Sequence, residues 1–298
     1  MAAQRIAVIG AGAVGGVLAA AAHAAGHEVT VCVRTPFDEL VIEDPDGSSE
    51  LPVAIETDPQ RLGPVDWVLL TTKVQDIASA EGWLRAADGP KTPVVAVQNG
   101  IEHHASLAPF GLRSPVLPAL LYGGAERLRP GYVVRRSPIS LVVPACELAE
   151  RFEGLLSGPD VRTTEDFRSA AWRKLLTNLG ANPISALTMR RLDVFAEPGA
   201  RELLRAVLSE AVAVARAEGA ELDEGDVDRS IEALGFLVDD STGTSMLYDR
   251  LAGLGTEHEA ITGVLVRAAR HHGIPVPRNE TLLALLRALP ENSPRPPG

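Results

Sequence analysis

The 298-residue sequence has few cysteines and no block of basic residues. The two cysteines, Cys32 and Cys146, form neither a metal-binding nor a redox motif, so we expect no metal site, no disulfide and a cytosolic, cytoplasmic protein. The formal net charge of −11 argues against nucleic acid as a partner. No apolar run reaches the ~18 residues of a spanning helix without a glycine turn inside it. The sequence therefore predicts a soluble protein with no membrane partner.

Hydrophobic residues make up 46% of the chain and charged residues 22%, which is typical of globular proteins. The length suggests two domains, each large enough for its own core. Strands and helices alternate first, and almost everything that follows is helical. We predict an α/β fold: an N-terminal Rossmann-type doubly wound sheet over residues 1–166 and an all-α domain over 167–290. The tail, residues 291–298, contains three prolines and is predicted to be disordered.

A glycine-rich turn lies between two apolar runs near the N-terminus. Residues 6–9 form the first run, an alanine-rich helix follows the turn, and residues 29–33 form a β-branched run. Strand, turn, helix and strand are the context of a dinucleotide-binding fingerprint, in which the helix N-terminus binds the phosphates. The alternatives are an apolar Gly/Ala hairpin and a signal peptide, but the apolar region of a signal peptide is not normally interrupted by glycines and followed directly by a strand. The predicted phosphate-binding residues are Gly10, Ala11, Gly12, Ala13, Val14 and Gly15.

Arg34 ends the second apolar run, where an NAD-preferring site would have an acidic residue for the ribose 2′-hydroxyl. A cation at this position suits the 2′-phosphate of NADP. The alternative is that Arg34 is a solvated surface charge. The sequence favours NADPH/NADP as the cofactor.

Two further buried runs, residues 65–71 and 94–97, continue the predicted parallel sheet. They lead into residues 71–73 and 98–100, at the carboxyl ends of strands, where ligands bind in such sheets. Asn99 and Lys73 are therefore candidate site residues. Asn99 precedes a glycine, and Asn-Gly is first of all a turn signal.

The remaining elements are predicted from turn signals and helical periodicity. We expect a hairpin over residues 40–56, a helix over 75–87 and an antiparallel extension over 116–143, with a helix start at residue 163 or 164. Further helices are predicted at about 168–182, 200–218, 224–237, 245–251, 257–272 and 280–288.

Lys174, Asn178 and Asn182 follow one another at intervals of four residues, so they share one face of a helix. This face is either a functional stripe or simply the solvent side of an amphipathic helix. Pro183 is expected to end or kink the helix near Asn182.

A second polar group, Thr256-Glu257-His258-Glu259, precedes an apolar helix. Glu257 is a candidate functional acid. The alternative is structural: Thr256 and Glu259 form a capping box, and Glu257 merely suits the positive helix N-terminus.

Taken in order along the chain, the motifs described above resemble those of the ketopantoate reductase family (2-dehydropantoate 2-reductases). The resemblance covers nearly the whole chain. No single motif is specific, but the ordered set is. The set comprises the glycine turn with Arg34, Lys73, Gln98-Asn99-Gly100, Arg129-Pro130-Gly131, Trp172-Arg173-Lys174-Leu175, Asn178, Asn182-Pro183, Ser245-Met246, Thr256-Glu257 and Gly273-Ile274-Pro275-Val276-Pro277.

The resemblance implies an NADPH-dependent reduction of a 2-oxo acid to a 2-hydroxy acid between two domains. Lys174 matches the family's catalytic lysine, which supplies a proton and stabilises the developing alkoxide. Glu257 matches its essential acid, which either accepts hydrogen bonds from a substrate hydroxyl or positions Lys174. The resemblance also implies a homodimer formed through the second domain. The matching substrate-binding residues are Asn99, Asn178, Asn182 and Ser245, and those at the nicotinamide end are Lys73 and Asn99.

The match loosens at three places: Thr244 replaces a serine, His258 and Glu259 replace an apolar residue and Asp, and residues 189–193 replace a polar loop. Arg190 and Arg191 in that loop either favour a different or more acidic substrate or are surface charges. Two alternatives to ketopantoate reduction stay open. One is the same chemistry on another 2-oxo acid, and the other is a non-catalytic NADPH-binding sensor, for which retaining Lys174, Asn178 and Glu257 has no purpose.

Overall fold

A computed structural model of the chain describes residues 2–235 and 242–290. It separates into two compact units: Met1–Gln98 with Glu102–Phe167, and Asn99–Ile101 with Arg168–Gly298. The predicted disordered tail lies outside the described residues. Within the described ranges, no helix is long and apolar enough to cross a membrane.

The first unit contains the strands and the shorter helices. Its helices are α1 (Ala13–Ala24), α2 (Glu81–Ala87), α3 (His103–Leu107) and α4 (Glu147–Glu153), with 3₁₀ turns at Pro59–Arg61, Val74–Ala80 and Ala108–Phe110. Its strands are β1 (Arg5–Ile9), β2 (Glu28–Cys32), β3 (Leu40–Asp44), β4 (Gly47–Leu51), β5 (Ala54–Glu56), β6 (Trp67–Leu70), β7 (Val94–Ala96), β8 (Val116–Pro118), β9 (Leu120–Tyr122), β10 (Ala125–Arg129), β11 (Tyr132–Arg135), β12 (Ser140–Pro144) and β13 (Asp160–Thr164).

Six of these strands form one parallel sheet in the order β5-β2-β1-β6-β7-β8. This order confirms the predicted doubly wound fold. The order reverses between β1 and β6, which is the position where such sheets bind ligands. Two smaller sheets complete the unit, in the orders β10-β11-β3-β4 and β13-β12-β9.

Both faces of the large sheet are buried, which explains why its strands are continuous apolar runs rather than alternating ones. Along β1, Ile6 and Val8 enter one core, which also contains Phe152. The intervening Ala7 and Ile9 enter a second core on the other face. Side chains of successive residues in a strand point to opposite faces, so β1 contributes to both.

The first unit confirms one of the local predictions and corrects two others. The hairpin is confirmed, since β3 and β4 pair from Leu40↔Leu51 to Asp44↔Gly47. The antiparallel extension is wrong at its start, because β8 is the parallel edge strand of the large sheet. The helix predicted over 75–87 begins as a 3₁₀ turn and is α-helical only in α2. Seven residues are too few for apolar periodicity to separate the two helix types.

The predicted helix start at residue 163 or 164 is wrong as well. Both residues belong to β13, which pairs in parallel with β12. The next helix begins at Phe167. A strand–strand pairing of this kind depends on a distant partner, and the local capping pattern carried no sign of it.

The second unit is helical, as predicted, and has its own core. Its elements are α5 (Phe167–Thr188), a 3₁₀ turn at Leu192–Ala196, α6 (Pro198–Ala217), α7 (Glu224–Gly235), α8 (Ser245–Leu251), a π-helical turn at Glu259–Gly263, α9 (Val264–His272) and α10 (Pro277–Arg287). The end of the helix predicted over 224–237 lies outside the described residues.

We expected Pro183 to end or kink the helix near Asn182; α5 continues through Pro183, so the helix end is wrong. A proline removes one backbone hydrogen bond and crowds the preceding turn. Here Ile184 and Ala186, just beyond it, are buried in the helical core. Burial of Ile184 in particular opposes the loss, because a fully buried isoleucine side chain contributes about 1.5–3 kcal/mol.

Candidate active site

The turn after β1 is fixed by a hydroxyl group from the end of β6, the strand beside β1 at the position where the strand order reverses. Thr71, at the end of β6, donates from Oγ1 to the carbonyl of Gly10 at 2.7 Å and lies 3.1 Å from that of Ile9. Gly10 has φ +102°, a conformation that L side chains rarely adopt. The chain therefore turns sharply between β1 and α1.

Gly15 and Gly12 have different surroundings. A Cβ at Gly15 would overlap the Gly10 carbonyl oxygen and lie 2.6 Å from Thr71 Oγ1. A Cβ at Gly12 would meet nothing within 4 Å. α1 begins just after Gly12, without a side-chain cap or an acidic residue in its first turn. Its first N–H groups and open approach fit an anion such as a pyrophosphate.

Arg34 and Lys73 both follow the glycine turn in sequence, and each lies two or three residues beyond a strand, Arg34 after β2 and Lys73 after β6. The Arg34 side chain is exposed, and neither a hydrogen bond nor an ion pair engages it among the described residues. Lys73 is half-buried and precedes the 3₁₀ turn at Val74–Ala80. Arg34 has the accessibility that a phosphate-binding cation requires.

The stripe on α5 is not the solvent side of the helix. Asn182 is buried with a relative exposure of 3%, and Lys174 and Asn178 are half-buried. Burial lowers the pKa of Lys174 from its ordinary 10.5 to about 8, because an ammonium is penalised away from water. Lys174 can therefore give up or regain its proton near neutral pH.

A hydrogen-bonded chain of three polar side chains lies in the second unit. Asn99 Nδ2 donates to Glu257 Oε2 at 2.7 Å, and Asn178 Nδ2 lies 3.4 Å from Asn99 Oδ1. Glu257 is buried, with 7% relative exposure. The structure thus brings together three of the predicted site residues: Asn99 from a loop, Glu257 from the segment just before the π-turn, and Asn178 from α5.

The capping-box alternative at residues 256–259 is wrong. Thr256 Oγ1 bonds with His258 Nδ1 at 2.9 Å rather than capping a helix. Glu259 bonds with Arg287 instead of returning to Thr256. Glu257 accepts the hydrogen bond from Asn99, so its carboxylate faces the polar chain.

Gly100 allows Asn99 to reach Glu257, and this role was not predicted. It has φ +91°, and a Cβ there would lie 2.7 Å from the carbonyl oxygen of Ala260 in the π-turn. π-Turns are rare and occur frequently at functional sites. The Asn-Gly pair signals a turn, but the π-turn it packs on has no sequence signal that we recognise.

Ser245 and Arg190 are not part of this chain of hydrogen bonds. Ser245 is exposed at the first position of α8, where Thr244 Oγ1 accepts from the backbone N–H of Leu247. Arg190 pairs with Asp193 at 2.7 Å and Glu197 at 3.4 Å within its own segment. The neighbouring carboxylates offset its charge, which supports the surface reading of that loop.

Comparison with known proteins gives consistent matches over both units. Residues 6–147 match the family model for ketopantoate reductase PanE/ApbA, and residues 166–290 match the model for its C-terminal part. A 2-dehydropantoate 2-reductase of Caulobacter vibrioides is 40% identical over 287 residues, 95% of this chain and 98% of the relative. One from Mycobacterium tuberculosis is 38% identical, over 95% of this chain and 97% of its own.

A solved structure of a dimeric ketopantoate reductase from Staphylococcus aureus superposes with a TM-score of 0.86 at 26% identity, covering 95% of this chain and 98% of that one. The fold and these matches define a pyridine-nucleotide-dependent oxidoreductase with a Rossmann-type unit and a helical unit. More narrowly, the chain belongs to the ketopantoate reductase family.

Proposed function

We propose that this protein reduces 2-dehydropantoate to pantoate with NADPH, as a cytoplasmic enzyme of pantothenate biosynthesis. The observation that carries the proposal is the buried Glu257, bonded to Asn99 in a unit that also contains a half-buried, readily titrated Lys174. The substrate follows from relatives that are 2-dehydropantoate 2-reductases. A non-catalytic nucleotide sensor has no use for a proton donor of this kind.

Lys174 acts as the general acid in this proposal. Its ammonium stabilises the negative charge that develops on the substrate's carbonyl oxygen and then donates a proton to it. Its pKa of about 8 suits this task, because a general acid is most effective when its pKa lies near the working pH.

Glu257 accepts a hydrogen bond from a substrate hydroxyl. Asn99 fixes the carboxylate through its 2.7 Å hydrogen bond, and Asn178 in turn lies close to the Asn99 oxygen. Asn182 and Ser245 bind the substrate's polar groups. Asn182 is buried, yet its amide makes no hydrogen bond among the described residues, so it remains available to a ligand.

NADPH supplies the hydride when it is bound. The residues that would hold it are those of the glycine turn, Gly10 to Gly15, with Arg34 at the 2′-phosphate and Lys73 and Asn99 at the nicotinamide end. The uncapped α1 N-terminus and the open space at Gly12 fit its pyrophosphate.

The reaction itself is tested with NADPH deuterated at the transferable position of the nicotinamide. We expect one deuterium at C2 of the product pantoate, detected by mass spectrometry, because the hydride goes to the carbonyl carbon. Unlabelled pantoate would contradict direct hydride transfer, and absence of pantoate would contradict the proposed activity.

Arg34→Ala tests the cofactor preference. The variant should raise the KM for NADPH by about tenfold or more, since a charge-assisted hydrogen bond contributes about 1.5–3 kcal/mol, and leave the KM for NADH nearly unchanged. Arg85→Ala, which removes an exposed cation paired with Glu81, is the control. Equal effects of Arg34→Ala on both cofactors would refute the assignment.

Gly12→Ala and Gly15→Ala should separate cofactor binding from folding. Gly12→Ala adds a methyl group in open space, so we expect weaker NADPH binding at an unchanged melting temperature. Gly15→Ala adds one against the Gly10 carbonyl, so the protein should lose several degrees of melting temperature as well. Calorimetry and cofactor titration check both, and normal NADPH binding by Gly12→Ala would count against the phosphate site.

We also propose that the protein is a homodimer, because the Staphylococcus aureus relative is dimeric. Light scattering should give twice the mass of the 31.5 kDa chain. A mass of one chain across the working concentration range would refute this.

A further inference from the structure

The π-turn that follows Glu257 is bound to two helices through one carboxylate. Glu259 Oε1 accepts from Arg287 Nε at 2.6 Å, and its Oε2 accepts from Arg287 Nη2 at 3.0 Å. Arg267 Nη1 donates to the same Oε2 at 3.3 Å, and its Nη2 donates to the Glu259 backbone carbonyl at 3.3 Å. α10 and α9 thus both hold the residue that begins the turn.

The carboxylate lies directly against the turn's own backbone. A Cβ at Gly263, the last residue of the turn, would overlap Glu259 Oε2 and lie 3.1 Å from Arg267 Nη1. The Arg287 guanidinium holds the pKa of Glu259 below its usual range. The carboxylate is therefore ionised at neutral pH, and Gly263 leaves the space that it occupies.

The same turn positions the Glu257–Asn99 pair. The Glu257 backbone carbonyl accepts from the N–H groups of Ala260 and Ile261, both at 3.1 Å. The Ala260 carbonyl is in turn the surface on which Gly100, next to Asn99, packs. A shift of the turn would displace the carboxylate of Glu257 and its amide partner together.

We propose that Glu259 is a positioning residue: through Arg287 and Arg267 it fixes the π-turn and so keeps Glu257 and Asn99 in their reactive arrangement. The inference rests on the proposed function for its effect on turnover. The side chains of Glu259 and Arg287 are 47% and 51% exposed, and exposed ion pairs contribute little to global stability. The main consequence of the pair is therefore local geometry.

The test compares Glu259→Gln and Arg287→Gln with the parent enzyme. We expect kcat to fall on the order of tenfold at nearly unchanged KM for NADPH, below the roughly 100-fold that a 1 Å misplacement can cost. Amide hydrogen exchange of residues 257–263 should become faster in both variants. Arg287→Lys keeps the charge and loses the bidentate geometry. Its kcat and its amide exchange rates should therefore lie between those of the two glutamine variants and those of the parent.

The matched control is Glu280→Gln, which breaks the 3.2 Å Arg270–Glu280 pair between the same two helices without touching the turn. It should leave kcat and the exchange of residues 257–263 unchanged. Equal kcat in Glu259→Gln and Glu280→Gln, or unaltered exchange in the turn of Glu259→Gln, would overturn the positioning role. A parent inactive on 2-dehydropantoate would instead refute the proposed function, and the exchange comparison would still decide whether Glu259 fixes the turn.

Discussion

Lys174→Ala should lower kcat for 2-oxo acid reduction by about 10²- to 10⁴-fold, the usual contribution of a general acid. KM should change much less, because the ammonium acts on charge that develops in the transition state. The melting temperature should not fall. Burial has already removed part of the hydration of the Lys174 ammonium, so losing this charge costs the folded protein little. Steady-state kinetics and thermal unfolding, with the exposed Lys91→Ala as the control, check these expectations.

The pH dependence gives an independent test of the same residue. Lys174 must be protonated to donate, so kcat/KM, whose pH profile reports groups of the free enzyme, should fall as pH rises through about 8. Between about pH 8 and 10.5 the unfolded chain binds this proton and the folded chain does not, so this lysine makes the free energy of unfolding increase with pH there.

Turnover by Lys174→Ala within a few-fold of the parent would contradict the mechanism.

Glu257→Gln should lower kcat about 10- to 100-fold, the equivalent of one charge-assisted hydrogen bond of about 1.5–3 kcal/mol. The melting temperature should change little, because the glutamine oxygen can still accept from Asn99 Nδ2. The NADPH affinity should also stay nearly the same, since the glutamine keeps the hydrogen bond that orients Asn99, and the predicted phosphate-binding residues are elsewhere in the chain.

Glu232→Gln, an exposed carboxylate on α7, is the control for the loss of one negative charge. A large drop in the melting temperature of Glu257→Gln with unchanged kinetics would show that the carboxylate is structural. The assignment of Glu257 as the substrate-facing acid would then be wrong.

The features of this protein that sequence could predict are those with local signals. The turn after β1 has its glycines, an apolar strand before it and a helix after it, so its φ and its close contacts follow from a motif of six residues. The face shared by Lys174 and Asn178 follows from helical periodicity alone. Periodicity could not decide whether that face is functional or faces solvent; the resemblance to a family favoured the functional alternative, and the structure shows both side chains half-buried.

The features that sequence could not predict depend on distant partners. Asn99 and Glu257 are 158 residues apart along the chain, and no spacing rule connects them. The continuation of α5 through Pro183 depends on the burial of the residues that follow it. The π-turn is likewise stabilised from outside, by arginines on α9 and α10, so its own sequence resembles an ordinary helix start.

The most direct measurement of the central claim is the rate of NADPH oxidation with 2-dehydropantoate, beside a panel of other branched and acidic 2-oxo acids. We expect the highest kcat/KM with 2-dehydropantoate, and little contribution from Arg190, whose charge is offset by Asp193 and Glu197. Activity confined to other acids would contradict the proposed substrate while keeping the lysine mechanism. Absence of turnover on the whole panel, with NADPH still bound, would contradict the account as a whole.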